Sequence, residues 1–251
     1  MSHHIVDFRD VSYKYPDGTK ALNKISFRVT HGEAVGIVGP NGAGKTTLIM
    51  HMNGQLLPGP GEIMVGDLPL TGKTRTEIRK KVGIVLQNPD DQLFMPTVYE
   101  DVGFGPTNLG LLPDAVGMRV RDALREVGCA DIVDRPPHRL SGGQKKAVAI
   151  AGVIAMKPDI LVMDEPSANL DPKARRNLID ILKGFHHSRI IASHDLDLIL
   201  EVCERCIVLY NGEVKADGKA EDILLDEALM KRCDLELPVS VLFQRRQQGR
   251  L

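Results

Sequence analysis

The 251-residue chain has no long apolar run and no excess of charge of one sign. Its longest apolar stretch, Ala147 to Met156, is about half of the roughly 20 residues that a membrane-spanning helix needs. The 32 Lys and Arg residues are balanced by 33 Asp and Glu residues, which argues against binding nucleic acid by bulk positive charge. With 43% hydrophobic residues the chain is not disordered, so we expect a soluble, cytosolic globular protein.

Cysteines are too few for a disulfide framework in a chain of this length. Cys203 and Cys206 have the CxxC spacing of a redox or zinc motif. They close an apolar-periodic segment, however, whereas a redox motif opens a helix after a strand. We interpret them as buried structural thiols. Residues 1–5 lack the basic and apolar regions of a signal peptide, and we expect none.

Hydrophobic patterning predicts an α/β fold that begins with a β-rich third. Later strands alternate with helices, which is typical of a mainly parallel sheet. One helix is predicted at Asp114–Val127, with Gly128 as its cap, and another begins at Asp171–Pro172. The segment Phe243–Leu251 is predicted to be a loosely ordered tail. The predicted strands are Ile5–Phe8, Ile25–Val29, Ala34–Val38, Ile160–Met163, Arg189–Ser193 and Cys206–Tyr210.

A phosphate-binding loop is predicted at Gly39–Thr46, which matches G-x-x-x-x-G-K-[ST] at every position. It follows the strand Ala34–Val38 and opens a helical segment, as the motif requires. Glycines let successive N–H groups turn inward, and the helix N-terminus adds its positive dipole end. Lys45 can reach the β- and γ-phosphates, and Thr46 offers a hydroxyl to Mg²⁺.

Acidic and imidazole groups follow two other predicted strands. Asp164 and Glu165 end one strand, where ligands gather in an open α/β sheet. Asp164 suits Mg²⁺, and Glu165 suits an attacking water. His194 ends another strand, at the position of a γ-phosphate ligand. If the phosphate loop were absent, we would interpret Asp164 and Glu165 as solvent-exposed loop residues. We would interpret His194 as a histidine with a structural role.

Leu140–Gln144 is a second Ser/Gly-rich helix N-terminus and a second possible anion site. With it, the chain resembles the ATP-binding-cassette (ABC) ATPases from about Ile5 to about Leu237. Two positions depart from the family pattern: Asn169 replaces Gly or a small residue, and Ala147 replaces Arg. The motifs that carry the resemblance are, in order, Tyr15, Gly39–Thr46, Gln87, Leu140–Gln144, Asp164–Glu165, Ser167–Asp171 and His194.

The resemblance implies an α/β P-loop ABC ATPase core. That core would have a mainly parallel sheet with helices, an antiparallel β N-terminal subdomain and a helical subdomain at about 88–158. The nucleotide-binding domain would cover residues 1–237 and a C-terminal tail residues 238–251.

The resemblance also implies ATP and Mg²⁺ as cofactors and a head-to-tail pair of cassettes, identical or different, that sandwiches two ATP molecules. Tyr15 would stack on adenine in preference to Tyr13, and the segment Ser167–Asp171 would carry signals between the sites. Glu165 would be the base and His194 the γ-phosphate switch. The implied catalytic residues are Glu165, His194, Lys45 and Gln87; the metal ligands are Thr46, Gln87 and Asp164; and the nucleotide-binding residues are Tyr15, Asn41, Gly42, Ala43, Gly44, Lys45, Thr46, Thr47, Ser141, Gly142 and Gly143.

The block Gln87–Gly110 resembles that of energy-coupling-factor importers. Asn88–Asp90 reads as a turn, and Thr97–Val102 as a short capped helix. The apolar residues Leu93, Phe94 and Met95 either pack the helical subdomain or form a groove for a coupling helix. The resemblance implies that integral membrane transport subunits bind through region 87–105.

Within this branch, the segments Gly152–Pro158 and Asp164–Asp171 look closest to the cobalt and nickel type. We therefore expect an ATPase that powers import of a transition-metal ion from the cytoplasmic face of the cell membrane, as a peripheral subunit. An alternative is a vitamin importer with two unlike cassettes. A third is a non-transport ABC ATPase acting on nucleic acid or ribosomes. No sustained heptads support this third alternative, and no nucleic-acid partner is expected.

Overall fold

The computed structural model describes residues 4–185 and 187–247. In this part of the chain the strands are β1 (His4–Lys14), β2 (Lys20–Thr30), β3 (Ala34–Val38), β4 (Glu62–Val65), β5 (Leu68–Pro69), β6 (Val82–Val85), β7 (Ile160–Asp164), β8 (Ser188–Ala192), β9 (Arg205–Tyr210) and β10 (Glu213–Lys219). The α-helices are α1 (Lys45–Met52), α2 (Arg75–Lys81), α3 (Val98–Asn108), α4 (Pro113–Glu126), α5 (Gly142–Ile154), α6 (Pro172–Gly184), α7 (Leu196–Val202), α8 (Ala220–Leu224), α9 (Glu227–Arg232) and α10 (Val239–Gln247).

Two sheets organise these elements. A six-stranded sheet has the order β10-β9-β3-β8-β7-β6, in which all neighbours are parallel except the edge pair β10–β9. Every residue of β3 and β7 is buried, as expected for parallel strands covered on both faces. An antiparallel sheet of order β2-β1-β4-β5 lies toward the N-terminus. This architecture confirms the predicted α/β class.

Strand order in the larger sheet decides what meets at its edge. The neighbours β3, β8, β7 and β6 are parallel, so their carboxyl ends lie side by side. Four motifs that are far apart in sequence follow these ends, and they therefore meet at one edge of the sheet. The motifs are, in that strand order, Gly39–Thr46, His194, Asp164–Glu165 and Gln87.

Three helices, α3, α4 and α5, pack against one another to form a helical unit. α3 begins with a capping box in which Thr97 and Glu100 satisfy each other's backbone N–H groups. It runs to Asn108, beyond the short helix predicted at Thr97–Val102, and it accommodates Pro106 in its last turn. α4 begins and ends one residue earlier than the predicted helix Asp114–Val127.

The predicted loose tail is wrong for residues 243–247, which belong to α10. The carboxylate of Asp197 accepts the backbone N–H groups of Val239, at 3.0 Å, and Ser240, at 3.2 Å. Arg245 pairs with Glu227 at 2.6 Å. These polar anchors act together with Val241 and Leu242, which pack against the core. The prediction failed because it began at Phe243, in the Arg/Gln-rich end of the segment, and left out these apolar residues. The remaining predicted tail residues, 248–251, lie outside the described residues.

Cys203 and Cys206 are both buried, as predicted. Cys203 caps the C-terminus of α7, and burial raises the pKa of its thiol to about 12. A thiol that stays protonated at neutral pH is a poor nucleophile and metal ligand. Over residues 4–185 and 187–247, none of the helices has the length and apolar character required to cross a membrane.

Candidate functional site

The phosphate loop connects β3 to α1. Gly44 adopts a φ of 106°, and a Cβ there would lie 2.6 Å from the carbonyl oxygen of Ala21, so only glycine fits. At Gly39 a Cβ would lie 2.2 Å from the carbonyl oxygen of Leu209. Lys45 donates from Nζ to the carbonyl oxygens of Gly39, at 2.7 Å, and Pro40, at 3.3 Å. The loop therefore curls around a lysine ammonium at the helix N-terminus, an arrangement suited to an anion.

Thr46 and Asp164 bring two oxygen ligands together across the cleft. Thr46 Oγ1 donates to Asp164 Oδ2 at 2.9 Å. Burial raises the pKa of Asp164, and the hydrogen bond from Thr46 opposes that shift. Mg²⁺ takes oxygen ligands and is commonly held by one or two carboxylates together with substrate phosphates. This pair fits such an ion. Gln87 lines the same cleft and could add an amide oxygen.

Glu165 is oriented by three donors that converge on one of its oxygens. Its Oε2 accepts from Ser193 Oγ at 3.2 Å, from the backbone N–H of His194 at 3.1 Å, and lies 2.7 Å from His194 Nδ1. Its other oxygen, Oε1, lies 3.9 Å from Lys45 Nζ. The backbone of Glu165 has a φ of 45°, a left-handed conformation that is rare outside glycine and typical of functional positions. The carboxylate is therefore buried and held in one direction.

Tyr15 lines the same cleft and contacts α1. Its hydroxyl is 3.0 Å from Thr47 Oγ1 in α1. Tyr13 packs edge-on against Tyr15 and against His51, with ring centroids 5.1 Å and 4.7 Å apart. Tyr15 lines the cleft, whereas Tyr13 supports it from behind.

A cleft of about 660 Å³ joins these groups into one site. The structure does not bring Ser141 or Gly143 into it, because they line a separate depression beside α6. Gly142 is solvent-exposed. The predicted residues that line the cleft are Tyr15, Asn41, Gly42, Ala43, Gly44, Lys45, Thr46, Thr47, Gln87, Asp164, Glu165 and His194.

Comparison with known proteins agrees with this geometry. The family model described as ABC transporter matches residues 22–168. The chain belongs to the ABC transporter family. It is an ABC-type ATPase that hydrolyses ATP to ADP and phosphate. Relatives described as energy-coupling factor transporter ATP-binding proteins confirm the predicted resemblance to that type.

Relatives of this ABC ATPase match it over nearly its whole length. An ABC transporter ATP-binding protein of Geobacter sulfurreducens is 56% identical, covering 96% of this chain and 97% of that protein. The energy-coupling factor transporter ATP-binding protein EcfA of Methanothermobacter thermautotrophicus is 49% identical, covering 93% of this chain and 77% of that protein.

Solved structures share the fold of this ABC ATPase. The protein cbiO1 of Clostridium perfringens, part of the ABC transporter complex cbiONQ, is 37% identical with a TM-score of 0.83, covering 97% of this chain and 100% of that one. The ATP-binding cassette MJ0796, a dimer in a post-hydrolysis state bound to ADP and Pi, is 27% identical with a TM-score of 0.76. That match covers 86% of this chain and 98% of MJ0796.

Sequence reasoning missed three residues at the site of this ATPase. Ser193 holds Glu165, and its place directly before His194 at a strand end could have signalled it. Leu235 lines the cleft although it lies far along the chain, after α9. Lys146 is buried beneath Gln87, and nothing in the local sequence distinguishes it from Lys145, which is only partly buried.

The segment after Glu165 explains one departure from the family pattern. Asn169 adopts a φ of 61°, a conformation that asparagine tolerates better than other residues with a side chain. It can therefore replace glycine without strain. Asp171 then caps α6 by accepting the N–H of Ala174 at 2.8 Å, as predicted. The backbone conformation at Asn169 and the cap at Asp171 therefore fix the direction of the chain between Glu165 and α6.

Proposed function

We propose that this chain is the ATP-hydrolysing subunit of an importer for a transition-metal ion, cobalt or nickel. The observation that carries its motor role is the convergence of the phosphate loop, Glu165 and His194 in one cleft. The resemblance of the segments Gly152–Pro158 and Asp164–Asp171 to the cobalt and nickel type supports the cargo. The structural likeness to cbiO1, part of the ABC transporter complex cbiONQ, supports a role as one subunit of a transporter complex.

In the proposed hydrolysis, Glu165 orients and deprotonates a water that attacks the γ-phosphate in line. The bond between the γ-phosphorus and the bridging oxygen breaks, and ADP leaves with that oxygen. Lys45 neutralises charge that develops on the phosphate oxygens. His194 lies 2.7 Å from Glu165 and its side chain is 65% exposed, so it can face the γ-phosphate from the open side of the cleft. Bound Mg²⁺, held by Thr46, Asp164 and Gln87, would supply further charge neutralisation.

A second cassette would complete each ATP site. Ser141 and Gly143 lie outside the cleft of their own chain, at the N-terminus of α5, where the positive end of the helix dipole favours an anion. We propose that residues 141–143 meet the ATP held by the phosphate loop of a partner cassette, identical or different. The dimeric structures of MJ0796 support this arrangement.

The membrane subunits would dock in a groove of about 480 Å³ between α3 and the β6 end of the sheet. Phe94 is 63% exposed there and packs edge-on against Phe104, with ring centroids 5.0 Å apart. Leu93 also lines the groove, but it packs against the core from there. An exposed aromatic pair favours a groove that receives an apolar helix face. Docking through region 87–105 would place the subunit at the cytoplasmic face of the cell membrane.

Asp101 gives this groove a polar anchor. Its Oδ1 accepts the N–H groups of Phe94, at 3.0 Å, and Met95, at 3.1 Å, so it shapes the aromatic wall. Among the described residues Oδ2 has no hydrogen-bond partner, although Asp101 is 8% exposed. A donor from a docked helix would satisfy it, because leaving a buried carboxylate oxygen unpaired costs about 1–3 kcal/mol.

Replacing Glu165→Gln tests the proposed base. We expect ATP affinity to change less than about threefold, because the amide keeps the size and hydrogen bonds of the side chain. The turnover rate should fall at least about 100-fold, because general-base catalysis contributes 10²–10⁴-fold. Steady-state phosphate release and nucleotide titration measure both quantities. Unchanged turnover would remove Glu165 from this role.

Uptake measurements test the cargo. Cells that carry this chain with its co-purifying membrane subunits should accumulate cobalt or nickel, and Lys45→Ala should abolish that uptake. Uptake that survives Lys45→Ala would contradict the motor role. Co-purification of two unlike cassettes, with uptake of a vitamin and not of either metal, would support the vitamin importer instead.

A further inference from the structure

Lys146 is a buried lysine with no part in the hydrolysis proposed above. It lies in α5, about one turn beyond Gly142 and Gly143, and it is 2% exposed. Moving an ammonium group out of water costs several kcal/mol unless polar partners replace the solvent. Its burial therefore requires specific acceptors.

Those acceptors are two main-chain carbonyls at the exit of β6. Lys146 Nζ donates to the carbonyl oxygen of Leu86 at 3.1 Å and to that of Gln87 at 2.6 Å. Hydrogen bonds from a charged donor are roughly twice as strong as neutral ones. Lys146 therefore fixes the backbone at Gln87 relative to α5.

Gln92 makes a second link between this segment and α5. Its Oε1 accepts the N–H of Leu86 at 3.0 Å, and its Nε2 donates to the carbonyl oxygen of Ala149 at 2.9 Å. Gln92 therefore accepts a hydrogen bond from the N–H of Leu86, while Lys146 donates one to its carbonyl oxygen. Among the described residues, Lys146 donates the only hydrogen bond that the carbonyl of Gln87 accepts.

Lys145, the neighbour of Lys146 in α5, contacts the same segment differently. Its Nζ lies 2.6 Å from Asp90 Oδ1, but the side chain of Asp90 is 62% exposed. Ion pairs of that kind contribute about 0–1 kcal/mol and do not touch Gln87. Lys145 therefore offers a matched control on the same helix.

We propose that Lys146 is a positioning residue for ATP hydrolysis, which by holding the carbonyl of Gln87 sets the direction in which the Gln87 side chain enters the nucleotide cleft. The inference rests on the role proposed above for Gln87. Loss of the hydrogen bond from Lys146 to the carbonyl of Gln87 would displace Gln87. It would not remove any group of the phosphate loop that binds ATP. A displacement of about 1 Å at a catalytic centre can cost about 100-fold in rate.

The variant Lys146→Met tests this inference, because it keeps the length of the side chain and removes the donor. We expect kcat to fall at least about tenfold while KM for ATP changes less than about threefold. Lys145→Ala should keep kcat within about twofold of the wild type. Thermal unfolding of each variant confirms that the folded protein is being compared.

Substitutions of Lys146 that keep a hydrogen-bond donor distinguish a role in positioning Gln87 from a role in packing alone. Lys146→Arg and Lys146→Gln both retain donors, so each should recover a measurable part of the kcat that Lys146→Met loses. These two variants decide the question if Lys146→Met fails to fold. Wild-type kcat in a folded Lys146→Met, or an equal loss of kcat in all three variants, would overturn the inference.

The same assay distinguishes this inference from the proposed function. If Lys146→Met keeps full turnover while Glu165→Gln abolishes it, the positioning role is wrong and the proposed base stands. If Glu165→Gln also keeps full turnover, the proposed catalytic assignment itself fails.

Discussion

Individual side chains in the cleft are held by neighbours that come from other strands. Ser193 and the backbone of His194, after β8, both direct hydrogen bonds to the carboxylate of Glu165, after β7. Ser193 has no measurable solvent exposure, and Glu165 is 7% exposed. A carboxylate fixed in this way needs little reorganisation when a water is deprotonated, which is the condition for efficient general-base catalysis.

His51 gives a residue-scale prediction about pH. It is fully buried in α1 beneath Tyr13, with Nδ1 2.7 Å from the carbonyl oxygen of Thr47, and burial lowers its pKa. The folded protein therefore keeps the ring neutral, while the unfolded chain protonates it at an ordinary pKa of about 6.5. Below that pH the unfolded state binds more protons, so the unfolding free energy falls.

We expect His51→Leu to reduce this acid sensitivity. Between pH 7.5 and 5.5, the wild type should lose more unfolding free energy than the variant, by at most about 1.4 kcal/mol for each pH unit below 6.5. Urea unfolding at both pH values measures the difference. His138→Gln, at an exposed histidine, should behave like the wild type. Equal pH dependence in His51→Leu and the wild type would contradict the prediction.

Helix ends carry much of the organisation at the scale of elements. Ser141 and Gln144 form a capping box at α5, as Thr97 and Glu100 do at α3. The first turn of α5 is therefore rigid although it carries two glycines. The sequence predicted Leu140–Gln144 as a Ser/Gly-rich helix N-terminus, and the structure adds the capping box that begins the helix.

The anchoring of α10 by Asp197 gives a prediction at this scale. Asp197→Ala removes the acceptor for the N–H groups of Val239 and Ser240, which should cost about 1–2 kcal/mol of local stability. We expect trypsin to cleave at Arg245 and Arg246 about tenfold faster, with little change in the melting temperature of the core. Asp180→Ala, at an exposed carboxylate of α6, should cleave at the wild-type rate. The same rate in Asp197→Ala would show that other contacts hold α10.

At the scale of the whole molecule, the separation of residues 141–143 from the nucleotide cleft is the main feature. A site that needs both regions needs two chains, since one chain holds them apart. Gly142 allows a direct test, because a Cβ at this position meets no atom within 4 Å and its φ is not positive. A large side chain can therefore be placed there without disturbing the fold.

We expect Gly142→Arg to bind ATP with wild-type affinity and to lose ATPase activity at least about 100-fold. Combined with Glu165→Gln, it should remain monomeric with ATP, whereas Glu165→Gln alone should form a dimer, as measured by light scattering. Gly184→Arg, at another exposed and unobstructed glycine, should keep full activity. Full ATPase activity in Gly142→Arg would exclude the proposed dimer contact.

The sequence alone determined the features that depend on local chemistry. The phosphate loop, the Asp171 cap and the strand β3 follow from residues that are adjacent in the chain, because glycine conformation, capping and β-propensity act over a few residues. Seven ordered motifs also identified the family, because their order is itself a sequence property.

Only the tertiary structure decided how distant groups meet. The order of the parallel strands places Gln87, Glu165, His194 and the phosphate loop at one sheet edge. It also buries Lys146 under Gln87 and attaches α10 to Asp197. These contacts join residues some 40 to 60 positions apart, and no local propensity encodes such pairs. They exist because a polar group removed from water must find its partner wherever the fold provides one.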